Sequence, residues 1–474
     1  MLWLALYFPR FALEVFPSEQ PDWPAVAVWR ERVCALNPAA AQAGIALGQR
    51  LSSALGLAPG LRVRSRETAR EAAALYGLAC WAGRFTPQLC MQSNDCMLLE
   101  VAGCERLFGG YEKLRQAALQ ALFEQGWSVR SALAPTPLAA YWLALAGDEQ
   151  SVFDLPQLPA ALAPLPCAVL GLDEARSKLL RAIGAQCLQD VLALPRAGLA
   201  QRLGAEFSVL LARALGEVPD LRAHFVFPEH FLQRIELGAA ISQTQALLFV
   251  ARRLVSALSG WLAVRMRGIR ECVLLLEHAD RTQTRLPLRF SEATRDIARI
   301  ERVLRESLER LVLRASVEYL ALQAEEAELL TPSSAALFGE LPGSALPPLI
   351  DRLRARLGDA AVCGLQALPA HRPELASAST SRPAPRQTPV MAQRPRWLLA
   401  RPLPLPEIAG APQRDGPLNL LAGPERIESG WWDAGEAGAL GELRRDYFVA
   451  LTRRGECLWV FRDAEGWFLH GFFA

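Results

Sequence analysis

Lysine is nearly absent from this chain: among its 51 basic residues only Lys113 and Lys178 are lysines, and the rest are arginines. Arginine presents a planar fork of donors that suits phosphate groups, so any anion-binding surface here must rest on guanidinium groups. The formal net charge of +2 over 474 residues excludes a strongly basic or strongly acidic chain. A surface that attracts nucleic acid would therefore have to be local.

The chain also lacks Cys-x-x-Cys pairs, and its five histidines do not cluster with its ten cysteines. This pattern argues against a zinc site and predicts reduced, mostly buried thiols, as cytoplasmic proteins have. No run of about 18 apolar residues occurs. The apolar N-terminus reaches Pro9-Arg10 without the basic segment of a signal peptide. We expect a cytoplasmic protein without metal, cofactor or membrane contact.

Apolar residues make up 51% of the sequence, which is enough for the three or four domains that a chain of this length can form. Two short and nearly continuous apolar runs, at 3–8 and 95–101, are typical of strands buried on both faces. Each run alone predicts only a core strand. The second is followed by Leu107-Phe108-Gly109-Gly110, whose glycines permit a turn with positive φ.

Together these segments resemble the two central palm strands of the Y-family (translesion) DNA polymerases. In that family the first strand carries Asp-x-Asp and the second reads Ser-x-Asp-Glu. By this resemblance the first-strand positions fall on Leu4 and Leu6, and the second motif falls on Ser93, Asp95 and Cys96. Of three expected metal-binding carboxylates only Asp95 is left. Leucine offers no oxygen and cysteine is a soft ligand, whereas two-metal phosphoryl transfer on magnesium needs carboxylates.

The positions that hold the incoming triphosphate in active relatives are changed as well. The resemblance puts Pro38 and Ala41 where the family has a tyrosine and an arginine, and Pro137 and Tyr141 where it has two lysines. None of the four side chains carries a positive charge. The resemblance therefore implies a pseudo-polymerase, similar to the non-catalytic Y-family homologues of bacterial mutagenesis cassettes, and not an enzyme.

We expect an α+β multidomain fold with a Y-family-like palm and fingers, a helix-hairpin-helix thumb, a little finger of repeated split β-α-β units and a small, mainly β C-terminal module. In the little finger the pattern predicts the order strand, helix, strand, strand, helix, strand. The expected domains are 1–148 (palm and fingers), 149–228 (thumb), 229–328 (little finger), 329–395 (clamp-peptide region and Pro/Ser/Arg-rich linker) and 396–474 (C-terminal partner-binding module).

Residues 245–314 hold 14 arginines against eight acidic residues, a local surplus of positive charge that suits a phosphate-tracking surface. Part of this surplus is also explained by ion pairs on helix surfaces, such as Arg302 with Glu306. The arginines that we expect to bind DNA are Arg265, Arg267, Arg270, Arg285 and Arg289.

Two further segments indicate protein partners. Leu337 and Phe338 match the end of the Gln-Leu-x-Leu-Phe peptide that binds the sliding clamp in relatives, although Ser334 replaces its glutamine. An extended segment can place such a pair in a hydrophobic pocket. In the C-terminal module, Trp431 and Trp432 are expected to bind a partner or to stack, with core packing as the alternative for at least one of them.

The resemblance implies a DNA-binding adaptor in damage-induced mutagenesis and translesion synthesis. Such an adaptor would recruit an error-prone DnaE-type polymerase, a RecA-like cassette partner and, through a weak motif, the sliding clamp. An active translesion polymerase with displaced metal ligands is the alternative, although Glu100 lies five residues from Asp95 and faces the other side of a strand. A plain DNA-binding scaffold without polymerase partners is a third possibility.

Overall fold

The computed structural model describes residues 1–16, 23–147, 149–330, 346–368, 370–380, 394–429 and 443–473. The chain forms two compact units, Met1–Arg356 and Leu357–Ala474. All ten cysteines are free thiols, as the sequence predicts.

The first 147 residues form the predicted palm and fingers. Their elements are β1 (Trp3–Tyr7), α1 (Phe11–Glu14), β2 (Ala25–Trp29), β3 (Arg32–Leu36), α2 (Pro38–Gln42), α3 (Leu51–Leu57), β4 (Arg62–Ser65), α4 (Thr68–Ala82), β5 (Leu89–Ser93), β6 (Cys96–Glu100), α5 (Glu105–Phe108), α6 (Tyr111–Glu124), β7 (Arg130–Ala134) and α7 (Pro137–Ala146).

Two sheets organise this region. The palm sheet is antiparallel in the order β5-β6-β1-β7, and a smaller sheet in the order β3-β2-β4 forms the fingers. Both predicted apolar runs are central strands of the palm sheet. Leu4 and Leu98 are fully buried although they lie on opposite faces. One face packs on α7 and the thumb, and the other packs on α4 and α6.

The thumb is helical, as expected. Its helices are α8 (Leu158–Leu162), α9 (Glu174–Ala182), α10 (Leu188–Leu192), α11 (Arg196–Leu203) and α12 (Ala205–Ala214). Asp173 caps α9, because its side chain accepts a hydrogen bond from the backbone N–H of Arg176 at 2.8 Å. Gly184, with φ of 82°, follows the end of the same helix.

The little finger has the predicted element order. It consists of β8 (Phe231–Ile241), α13 (Thr244–Val264), β9 (Arg267–His278), β10 (Gln283–Thr294), α14 (Ile297–Arg310), β11 (Val317–Ala324) and β12 (Glu328–Leu329). The sheet order is β10-β9-β11-β8, so each β-α-β unit is split by a strand of the other unit. This confirms the repeated split β-α-β pattern.

Helix α13 joins the little finger to the palm. Residues 254–262 are buried without a break, so the helix is covered on all sides, by the little-finger sheet and α14 and by α4. The two helices cross at Gly260, where an added Cβ would lie 2.2 Å from the carbonyl oxygen of Cys80 and 2.5 Å from that of Trp81. Only a glycine permits this backbone approach.

Although α13 passes the length and hydropathy test for a membrane span, 67% of its most apolar window is buried inside the protein. Arg252 and Arg253 interrupt the apolar residues of this helix. Such burial is typical of a core helix.

The first unit extends beyond the predicted little finger. Helix α15 (Leu346–Leu357) lies in the region expected to be a clamp-peptide segment and linker, yet it packs on the little finger. The buried carboxylate of Asp351 accepts hydrogen bonds from the Arg299 guanidinium and from the Ser291 backbone N–H, both at 2.7 Å. The predicted domain boundary at residue 328 is therefore wrong for this helix, because a buried ion pair fastens it.

The second unit is the predicted mainly β module. Its strands are β13 (Gly364–Ala367), β14 (Ser377–Thr380), β15 (Trp397–Leu405), β16 (Glu407–Ile408), β17 (Ala411–Pro412), β18 (Asn419–Ser429), β19 (Leu443–Leu451), β20 (Cys457–Arg462) and β21 (Trp467–Phe473). Five of them form an antiparallel sheet in the order β15-β21-β20-β19-β18. The β13–β14 ribbon starts this unit before the predicted boundary at residue 396, because Glu374 and Arg372 bind Arg445 and the Ser429 carbonyl of the sheet.

The close crossing of α4 and α13 can be tested directly by a substitution at Gly260. Replacing Gly260 by alanine forces the two helix backbones apart or leaves a severe overlap, so we expect the free energy of unfolding to fall by about 2 kcal/mol or more. Urea unfolding followed by circular dichroism measures this change.

Gly56 provides the matched control, because it lies in α3 and an added Cβ there meets nothing within 4 Å. Gly56→Ala should be neutral or should stabilise the protein by up to about 1 kcal/mol. Equal effects of the two substitutions would contradict the close crossing.

Candidate functional site at the palm hairpin

Asp95 is held at the tip of the hairpin that joins β5 to β6. The Ser93 hydroxyl donates a hydrogen bond to the Asp95 carboxylate at 2.7 Å. The backbone N–H of Phe8 donates to the Asp95 carbonyl oxygen at 2.8 Å, which ties the hairpin to the end of β1. This surviving carboxylate thus lies where the two palm strands meet.

The strand register corrects the predicted degenerate positions. Tyr7 is directly opposite Cys96, whereas Leu6 is opposite Met97 and Leu4 is opposite Leu99. Opposed residues of an antiparallel pair share a face, so Leu4 and Leu6 lie on the other face from Cys96. The prediction that Leu4 and Leu6 stand with Asp95 and Cys96 around one centre is wrong, and Tyr7 is the first-strand residue there.

Two tyrosines surround Asp95. Burial, together with the nearby Asp95 carboxylate and Tyr141, raises the pKa of Tyr7 to about 12. Burial also raises the pKa of Tyr141, which stands at one of the two lost lysine positions. Both phenols stay protonated at neutral pH, so they can exchange hydrogen bonds with a carboxylate but cannot bridge two metal ions as carboxylates do.

Cys96 is fully buried, and burial raises the pKa of its thiol well above the ordinary value, with Asp95 adding to this effect. Glu100 is at the other end of β6, opposite Trp3, roughly 13 Å along the strand from Cys96. Across the described parts of the chain, no three His, Cys, Asp or Glu side chains are grouped so that they could hold a metal ion.

The other predicted nucleotide positions lie at helix starts. Pro38 is the first residue of α2, on the fingers, and Ala41 is exposed one turn later. Pro137 is the first residue of α7, where the Thr136 hydroxyl caps the helix by accepting from the Ala139 N–H at 3.3 Å. These residues begin helices well, but none supplies a cation for a triphosphate.

Some of the predicted DNA-binding arginines share one exposed surface. The helices α13 and α14 cover one face of the little-finger sheet, and Arg285 and Arg289 project from β10 on the other face. Arg234 of β8 lies on this same face, with its guanidinium 3.7 Å from the Tyr319 ring. We call this surface the free face and define it by Arg234, Arg285, Arg289 and Tyr319. The sequence analysis did not name Arg234. Residues two apart in a strand share a face, so its position two residues after the exposed Leu232 could have placed it on this surface.

The structure does not bring the other three arginines to this face. Arg265 stacks on Trp261 and donates to the Pro228 carbonyl, and burial lowers its pKa. Arg267 donates to the Ala327 carbonyl at 2.9 Å. Arg270 forms an ion pair with Glu328 at 2.9 Å. These three guanidinium groups fasten the ends of α13 and β12, and DNA binding by Arg265, Arg267 and Arg270 stays a prediction.

The C-terminal unit contains a buried polar cluster. The Tyr447 hydroxyl and His470 Nδ1 are 2.8 Å apart, His470 Nε2 is 3.9 Å from Glu374, and Arg445 binds Glu374. Burial lowers the pKa of His470 to about 4, with Glu374 opposing, so the imidazole is neutral at neutral pH. Because Tyr447 and His470 are almost fully buried, this cluster holds the ribbon and offers no substrate access.

Four predicted partner residues, Leu337, Phe338, Trp431 and Trp432, lie outside the described residues.

The burial of Cys96 in the palm site can be tested by placing a carboxylate at this position. In Cys96→Glu a carboxylate enters an apolar interior, so its folded-state pKa rises and the charged form is disfavoured. We expect a loss of at least ~3 kcal/mol in unfolding free energy at pH 7 relative to the neutral variant Cys96→Gln. Urea unfolding of both variants from pH 4 to pH 8 measures it.

The sign of the pH dependence is fixed by the raised folded pKa. The difference in unfolding free energy between the two variants should be near zero below the unfolded glutamate pKa of about 4.3. It should grow as the pH rises. A difference in unfolding free energy that does not change with pH would mean that the new carboxylate reaches solvent or a cation, and it would contradict the burial of this position.

A family model and several solved structures are similar to parts of this chain. The model of the impB/mucB/samB (IMS) family matches residues 6–144. Solved structures described as a Dbh ternary complex and as DinB from Sulfolobus solfataricus each align with a TM-score of 0.39 and 17% identity, over 70% of this chain and all of theirs.

Relatives similar over nearly the whole length come from Caulobacter vibrioides. Protein ImuB of strain NA1000 / CB15N is 30% identical over 460 residues, which cover 91% of this chain and 100% of that protein. The same values hold for Protein ImuB of strain ATCC 19089 / CIP 103742 / CB 15. The chain belongs to the ImuB family.

Proposed function

We propose that this protein is a non-catalytic, DNA-binding adaptor that acts in damage-induced mutagenesis and translesion synthesis. The observation that carries the proposal is the palm hairpin, where Asp95 is accompanied by Tyr7, Cys96 and Tyr141. The polymerase scaffold is kept while the groups around its remaining carboxylate are phenols and a buried thiol.

Physical chemistry supports the absence of nucleotidyl transfer. Two magnesium ions about 3.5–4 Å apart need several oxygen ligands between them, because their mutual repulsion must be offset. One carboxylate with two neutral phenols does not supply that charge. The fingers and α7 positions, Pro38, Ala41 and Pro137, add no cation for the triphosphate.

DNA binding is supported by the free face of the little finger and by the helical thumb. Arginine forks track phosphates without reading the sequence of bases. Since Arg289 pairs with Glu271 and Arg234 pairs with Glu277, part of the positive charge is already offset. We infer binding of modest affinity that weakens as the salt concentration rises.

The partners follow from family membership. We propose that the adaptor brings an error-prone DnaE-type polymerase and a RecA-like cassette partner to damaged DNA, with the C-terminal unit as the partner-binding module. The segment with Leu337 and Phe338 would contact the sliding clamp weakly, and Trp431 and Trp432 would contact a partner. The protein would act in the cytoplasm, without a metal or cofactor of its own.

Primer extension tests the lack of catalysis. The purified protein should bind a primer–template but should add no nucleotide with magnesium or manganese and all four deoxynucleotides, because the metal pair has too few ligands. Denaturing gels of the labelled primer measure extension.

Asp95→Ala and the neighbouring Asn94→Ala, in the same turn, form the matched pair for this assay. Extension by the wild type that disappears in Asp95→Ala and persists in Asn94→Ala would overturn the proposal. It would favour the alternative, an active translesion polymerase with unusual metal ligands.

A salt titration tests the DNA-binding face. Replacing both Arg285 and Arg289 by alanine should lower the magnitude of the slope of log K against log salt by about 2, since two phosphate contacts are lost. Fluorescence anisotropy of a labelled primer–template measures the slope.

The double variant Arg302→Ala, Arg305→Ala removes the same charge from exposed positions of α14, on the covered side of the sheet. Its slope should stay within about 0.5 of the wild-type value. Equal changes in both double variants would indicate a general charge effect and would contradict a binding face on β10.

A further inference from the structure

A cavity of about 320 Å³ lies between the palm helix α4 and β8, the edge strand of the little-finger sheet. It is separate from the palm hairpin. The residues that the argument uses are Ala73, Ala74, Trp127, Gln233, Arg253 and Tyr319, all of which line it. A volume near 300 Å³ is at the lower end of small-ligand pockets, so the cavity suits one ring system rather than an extended chain.

The walls are mainly apolar and include two aromatic rings. Ala73 and Ala74 leave open space along α4, where larger side chains would fill it. Trp127 forms part of the palm wall and Tyr319 part of the little-finger wall. A flat ligand can contact such walls over its whole surface.

The polar groups offer hydrogen bonds more than charge. Among the described residues, the side-chain oxygen of Gln233 and the indole N–H of Trp127 are buried without a hydrogen-bond partner. Leaving such groups unpaired is costly, so a ligand that carries both a donor and an acceptor gains from them. The Gln233 amide occupies the space that a side chain at Gly77 would fill, so it lies directly against α4.

The charged groups that border the cavity already have partners. Arg253 donates to the carbonyls of Gln125 and Glu14, at 2.9 and 3.2 Å, and its guanidinium lies 4.0 Å from the Trp127 ring. Arg70 pairs with Glu236 at 2.6 Å. A neutral planar ligand therefore fits better than a phosphate. A nucleobase is planar and neutral and carries adjacent donors and acceptors.

The cavity is continuous with the free face, because Arg234 and Tyr319 belong to both. Resting on the proposed DNA binding, we propose that this cavity receives one unpaired nucleobase from a strand that lies on the free face. The phosphates on either side of that nucleotide stay at the arginines of the face. The base leaves the strand and enters the space beside Ala73.

The test uses primer–templates with a single 2-aminopurine, either unpaired in a bulge or paired within the duplex. Wild-type protein should bind the bulged DNA about tenfold more tightly than the paired DNA, since stacking a base on aromatic walls gives preferences of this size. The 2-aminopurine fluorescence should fall on binding of the bulged DNA.

Ala73→Leu fills the cavity, and Ala72→Leu is its control, because Ala72 is the preceding exposed residue of α4 and does not line the cavity. The tenfold preference should vanish in Ala73→Leu and persist in Ala72→Leu. Equal binding of both DNAs by the wild type, or a preference that survives Ala73→Leu, would overturn the inference.

Free 2-aminopurine riboside separates this inference from the proposed function. If the protein binds neither DNA, the proposed DNA binding fails, and quenching of the riboside by the wild type but not by Ala73→Leu still supports the cavity as a nucleoside site. Absence of quenching in that case would overturn the cavity inference as well. If both DNAs bind without a fall in fluorescence and only the free riboside is quenched, the cavity takes a free nucleoside and not a base from a strand. This result contradicts the proposal.

Discussion

The arrangement of the first unit depends on the backbone contact between α4 and α13. Helix α13 belongs to the core of the little finger and, at the same time, covers α4 of the palm, so neither domain can lose the other without exposing apolar surface. Gly260 sets the distance, since any side chain there would meet the carbonyls of Cys80 and Trp81. Arg253 is buried in the same junction and donates hydrogen bonds to palm carbonyls. Because hydrogen bonds are directional, it also constrains how the two domains are oriented. A close helix crossing with a buried cation favours one relative position of the two domains.

The palm sheet shows why a carboxylate is hard to introduce beside Asp95. Once Tyr7 and Cys96 occupy the shared face, α7 and the thumb pack against it and Cys96 loses all contact with solvent. A carboxylate in place of Cys96 would not be hydrated, so it would oppose folding. Asp95 escapes this constraint because it lies in the turn, where Ser93 binds its carboxylate.

Much of the fold could be predicted from the sequence because turn residues and helix caps act locally. Asp173 caps its helix through its own side chain, and the order of the little-finger elements was predicted correctly. The assignment of Leu4 and Leu6 failed for a physical reason. A strand buried on both faces has no polar alternation, so the sequence does not reveal which residues point the same way, and only pairing with β6 fixes the register. The sequence also could not show which arginines share a face, because the surroundings of Arg265 and Arg270 depend on Pro228 and Glu328, which are distant in sequence.

Near-absence of lysine changes what a local surplus of arginine means. Many arginines here bind carbonyls, stack on rings or form buried ion pairs, as Arg253, Arg265 and Arg299 do, and these tasks suit a guanidinium better than an ammonium. The free face retains Arg234, Arg285 and Arg289, and three phosphate contacts correspond to a salt slope of only about −2.7. A basic surface of this size fits the proposed adaptor, whose position on DNA its proposed protein partners would set.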